Sequence, residues 1–136
     1  MSVKTIEGKT VKFENRTQIM NMGGPWIGEL HIENEIKIDN VILDNLYFNS
    51  NLHKLYFVRY HPVSKWQKDN FFNVYCLDWK NDSLCRYDMK FEMIYIESVS
   101  DDGELIYFKA LHDKNPNDAE KIKLNDYICI QVDGRA

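Results

Sequence analysis

The chain has 136 residues, 44% hydrophobic and 13% aromatic, which suits a single globular domain over residues 1–136 that buries roughly two-thirds of its unfolded surface. Its 17 basic and 21 acidic residues leave a net charge of −4. That balance argues against nucleic acid as a partner, because a phosphate backbone calls for a basic face. Alanine is scarce, with Ala110 and Ala119 alone ahead of the C-terminal Ala136, so long helices are poorly supported and an excess of Tyr, Phe and Ile favours strands.

The first sixteen residues, MSVKTIEGKTVKFENR, lack the apolar core of a leader, and no run approaches the length of a membrane span. The expectation is a cytoplasmic protein with no membrane partner. Val3 to Ile6 and Thr10 to Phe13 read as a hairpin around Glu7-Gly8. Glu14 to Met22 is polar and reads as an irregular loop or one helical turn. Gly23-Gly24-Pro25 breaks the backbone, and Trp26, Gly28, Leu30 and Ile32 then alternate with Ile27, Glu29 and His31, a strand with one apolar face. Ile36 and Ile38 lead to a turn at Asp39-Asn40, Val41 to Leu43 to another at Asp44-Asn45, and Leu46-Tyr47-Phe48 to a polar tip at Asn49-Ser50-Asn51.

Lys54 to Tyr60 is the return strand, and His61 to Asn70 a loop holding Pro62 and Trp66. Phe71 to Trp79 is a long apolar run, turned by Lys80-Asn81-Asp82 into Leu84 to Tyr87. A turn centred on Lys80-Asn81 sets Cys76 opposite Cys85. With Cys129 the cysteines number three and lack CxxC spacing, so neither a disulfide framework nor a zinc site is expected; a reducing cytoplasm with thiols at Cys76 and Cys85 fits.

Met93 to Ile96 and Leu105 to Phe108 flank Ser100-Asp101-Asp102-Gly103, a strong hairpin signal. With Asp102-Gly103 as the central pair, Val99 faces Ile106 and Glu97 faces Phe108. Both arms are apolar on consecutive residues, which places this hairpin mid-sheet, covered on both faces. Asp113 to Asp118 is a surface loop leading into one helical turn at Asp118 to Ile122, and Tyr127 to Val132 is the last strand. The fold class that follows is all-β: an antiparallel meander of about ten short strands with little helix, as a sandwich, half-propeller or barrel.

No catalytic motif, nucleophile motif or cofactor signature stands out. His31, His53, His61 and His112 have no partner at metal-ligand spacing, and no loop has the calcium-binding pattern, so no cofactor, metal or enzymatic activity is expected. Acidic residues gather instead at turns: Asp39 and Asp44, Asp78 and Asp82, Asp101, Asp102 and Glu104, Asp113 and Asp118. Asp favours turns for its own local hydrogen bonds, and a shared negative rim would also dock a basic partner, with Trp66 or Trp79 as exposed aromatic anchors.

Two resemblances follow from these residues. Gly24-Pro25-Trp26 matches the Gly-x-Trp that opens the first strand of lipocalins, and the resemblance implies a small-molecule-binding β-barrel whose closed end is plugged by Trp26. The acidic charge, the short chain and hairpins such as LYFNSNLHKLYFVRY and MIYIESVSDDGELIYFKA resemble the small β-rich immunity proteins of bacterial polymorphic-toxin systems, including those of contact-dependent inhibition. This second resemblance implies a cytoplasmic inhibitor that binds a cognate toxin domain, often a cationic nuclease, and blocks its active site. The candidate partner-binding residues are Asp78, Asp82, Asp101, Asp102, Glu104, Trp66 and Trp79.

Overall fold

A computed structural model describes residues 3–18, 26–33, 35–61, 71–81, 83–91, 93–109, 119–124 and 127–130. These residues form eleven strands: β1 (Val3–Ile6), β2 (Lys9–Gln18), β3 (Trp26–Ile32), β4 (Ile36–Asn49), β5 (Lys54–His61), β6 (Phe71–Asp78), β7 (Leu84–Tyr87), β8 (Tyr95–Val99), β9 (Glu104–Phe108), β10 (Glu120–Lys123) and β11 (Tyr127–Ile130). All pairings are antiparallel. An eight-stranded sheet runs β1-β2-β3-β4-β5-β6-β7-β11, and a second sheet runs β10-β9-β8. The large sheet ends at β1 and β11 without joining them, so it is not a closed barrel, and Trp26, 49% exposed at the start of β3, plugs nothing. Among the described residues no helix is long and apolar enough to cross a membrane.

Strand β4 organises the architecture. Its first half pairs with β3, from Ile32↔Ile36 to Ile27↔Ile42, and its last residues pair with β5, from Leu46↔Phe57 to Asn49↔Lys54. Two irregularities lie between. Asn40 takes φ 60, where the register with β3 shifts, and between Val41↔Arg59 and Leu46↔Phe57 the chain of β4 advances further than that of β5. Asparagine tolerates the left-handed conformation and extra residues bend a strand. The expected turns at Asp39-Asn40 and Asp44-Asn45 are therefore bulges within one strand.

The bend lays the two halves of the large sheet over one another. One core joins Val11, Phe13, Leu30, Ile32 and Ile38 of the first half to Leu55, Phe57, Tyr75, Leu77 and Leu84 of the second. A second core lies on the other face of the second half, where Tyr56, Val58, Val74 and Cys76 meet Val99, Leu105 and Tyr107 of the small sheet. This layering explains why β5 and β6 are apolar on consecutive residues: each lies between two cores.

Several expectations change. The Glu7-Gly8 turn stands as read, with positive φ at both residues and Ile6 opposite Lys9. The segment after Glu14 continues β2 to Gln18, with a bulge where Asn15 takes φ 53. From Glu120 on, the expected turn at Asp118 to Ile122 is strand, because Glu120 to Lys123 pair with Tyr107 to Glu104. The hairpin of β8 and β9 lies in the small sheet, with β9 central and β8 at its edge. Its register also differs: Val99 faces Leu105 and Tyr95 faces Phe108, with a bulge between Ile96 and Ser98. The Gly103 amide donates to Ser100 O and the Ser100 amide to Glu104 O, and Gly103 has φ 87, so three residues make the loop rather than two.

Candidate functional site

The acidic hairpin tips meet around the β4–β5 turn. On one side, Asn51 Nδ2 donates to Asp101 Oδ2 at 3.0 Å and Asn49 Nδ2 to Asp101 Oδ1 at 2.9 Å. On the other, the Trp79 amide donates to His53 O at 2.7 Å, and His53 Nδ1 lies 2.8 Å from Glu7 Oε2. Tips β1–β2, β4–β5, β6–β7 and β8–β9 thus share one rim.

The carboxylates of Glu7, Asp78, Asp101 and Asp102 there are held by local donors. Asp78 Oδ1 accepts the amides of Lys80 and Asn81 at 3.0 Å each, which builds the β6–β7 turn. Partial burial acts to raise the Asp78 pKa, but these amides, the Asn81 side chain and nearby Lys54 outweigh it and hold the carboxyl below its usual value. Asp102 is also lowered, first by a hydrogen bond from the Ser100 hydroxyl and then by Lys123, whose Nζ lies 3.7 Å away. Both carboxylates are fixed negative charges at neutral pH, not proton carriers. Glu104 is exposed, and its amide donates to Ser100 Oγ at 2.9 Å.

The aromatic anchors fare differently. Trp79, expected to be exposed at a tip, is 3% exposed. The β1–β2 hairpin folds over it: Nε1 donates to Ile6 O at 3.2 Å, Lys9 Nζ lies 5.1 Å from the ring centroid, and Phe48 packs edge-on at 5.4 Å. It belongs to the core. Trp66 and Asp82 lie outside the described residues, as do His112, Asp113 and Asp118. Asp39 stands away from the rim in the middle of β4, where Lys37 lies 3.9 Å from its carboxylate.

Two further polar clusters arise from register alone. On β2 and β3, Glu14 faces Glu29, and His31 Nε2 sits 3.2 Å from one and 3.1 Å from the other. These three offer ligand atoms within 4.8 Å of one another, and Lys12 and Lys37 balance the two carboxylates. The Glu29 pKa is lowered, first by His31 and then by Asn15. On β5 and β6, the Tyr75 hydroxyl lies 2.9 Å from His61 Nε2. Burial, with Arg59 and Arg86 nearby, lowers the His61 pKa to about 4, so the neutral ring accepts the Tyr75 proton. His31 and Glu29 were legible as neighbours on one strand face; Glu14 and Tyr75 needed the strand order. The chain matches no protein-family model, no curated protein and no solved structure.

Proposed function

We propose that this protein is a small inhibitory binding module of the immunity type, which works in the bacterial cytoplasm by covering the active face of a cationic toxin domain, a nuclease in particular. It acts by occupation and not by turnover. The observation that carries the reading is the shared rim: four hairpin tips hold Glu7, Asp78, Asp101 and Asp102 in place through fixed donors, with Glu104 beside them. Carboxylates whose positions are set before binding lose little freedom on contact, stand in for substrate phosphates and speed encounter with a basic surface.

The test is co-expression with the C-terminal toxin domain of a secreted protein encoded beside this chain. Restored growth and a co-purifying complex are expected; a toxin that kills equally well with or without the chain overturns the reading. In the purified pair, Asp102→Lys and Glu104→Lys should slow association several-fold and flatten its dependence on salt. Unchanged rates would remove the rim from the interface.

A further inference from the structure

On β2 and β3 the core takes Val11, Phe13, Leu30 and Ile32, so Lys12, Glu14, Glu29 and His31 between them stand on the opposite face of the sheet. There the ladder sets Glu14 directly opposite Glu29, a pairing of like charges that is unfavourable unless a cation lies between them. The lysines do not fill that place. Lys12 Nζ lies 3.2 Å from Glu14 Oε1 and Lys37 Nζ 3.6 Å from Glu29 Oε2, so each takes one oxygen of its carboxylate. The other two oxygens turn to one imidazole nitrogen: His31 Nε2 is 3.2 Å from Glu14 Oε2 and 3.1 Å from Glu29 Oε1. A single N–H aimed along its bond favours one acceptor, whereas this nitrogen is shared evenly between two.

We propose that Glu14, Glu29 and His31 form a binding site for a divalent transition metal of the zinc class, which staples β2 to β3 on the face away from the core. The three ligand atoms lie within 4.8 Å of one another. A tetrahedral ion with bonds of about 2.0–2.2 Å sets its donors about 3.3–3.6 Å apart, so the site closes on the metal with shifts of a few tenths of an ångström around His31. The donor set names the class of ion. One imidazole nitrogen with two carboxylate oxygens suits zinc and its neighbours in the first row, whereas calcium and magnesium take oxygen alone. Asn15 Nδ2 donates to Glu29 Oε1 at 2.8 Å and, with the two lysines, orients the carboxylates as the outer partners of metal ligands do. The ligand side chains are 19–34% exposed, which gives an ion a way in and leaves its fourth position to water.

The experiment titrates the chelator-treated full chain with Zn²⁺ in a calorimeter and with Co²⁺ in an absorption spectrometer. One ion per chain should bind, and the Co²⁺ spectrum should show ligand-field bands without the charge-transfer band of a thiolate ligand. His31→Gln and Glu14→Gln should each weaken binding by about tenfold or more, with circular dichroism matched to the parent, and His53→Gln should leave it unchanged. A readout on the parent chain needs no variant to fold: Co²⁺ should shift the ring protons of His31 ahead of those of His53, His61 and His112 in a proton resonance spectrum. Absence of binding, a thiolate band, equal affinity in the parent and His31→Gln, or a first shift at another histidine would overturn the proposal.

Discussion

Gly28 shows how little room the bent sheet leaves. A Cβ there would sit 3.0 Å from Glu14 O and 3.3 Å from Leu43 Cδ2, at the place where β2 bulges toward β3. The first neighbour is backbone and cannot swing aside, so Gly28→Ala should cost about 1–3 kcal/mol in urea denaturation. His61 sets a pH dependence. Its pKa falls from 6.5 to about 4 on folding, so below pH 6.5 the unfolded chain takes up a proton that the native ring refuses. Stability from this group is present above pH 6.5 and is lost as pH drops toward 4. Denaturation midpoints across that window should fall for the parent and fall less for His61→Gln. A parent curve that is flat between those limits would show that the ring is not held neutral.

At the scale of elements, asparagine side chains do the joining. Asn45, 4% exposed, donates through Nδ2 to Ile94 O and accepts the Ile96 amide at Oδ1, both at 2.8 Å, so one side chain of β4 mimics a strand partner for β8. Asn49 donates to Val99 O at 3.0 Å, and Asn73 to Met89 O at 2.7 Å. Asn45→Leu keeps much of the volume but strands both backbone groups; the expected loss is about 1–3 kcal/mol per group by denaturant unfolding. Asn45→Asp keeps the acceptor and loses the donor, so it should also be destabilised. These roles explain what could be read from the chain. Local signals were legible: the Glu7-Gly8 turn, the alternation of Trp26 to Ile32, and Cys76 opposite Cys85. Asp39-Asn40 and Asp44-Asn45 carry the residues of turns, yet the partners that keep β4 running through them come from β3, β5 and β8, far off in sequence. Trp79 misled for the same reason, since the hairpin that covers it lies more than seventy residues upstream.

For the whole molecule, the doubly covered β5 and β6 are the shared wall of both cores. Neither core can melt without exposing a face of that wall, so unfolding should be a single transition. Tryptophan fluorescence, which includes buried Trp79, and far-ultraviolet circular dichroism should give the same midpoint, and the amides of β5 and β6 should exchange slowest with deuterium. Separate midpoints would mean that the small sheet comes away alone. The rim was only partly legible at this scale: its acidic residues were evident, whereas their meeting around the β4–β5 turn depends on the fold of the large sheet. The asparagine links have one more consequence. A chain built so largely of strands exposes it to the hazard of edge-to-edge growth, in which a second molecule extends a bare ladder into a fibre. By filling Ile94 O, Ile96 N and Val99 O with side-chain amides, Asn45 and Asn49 leave the outer margin of β8 a poor template for such a recruit.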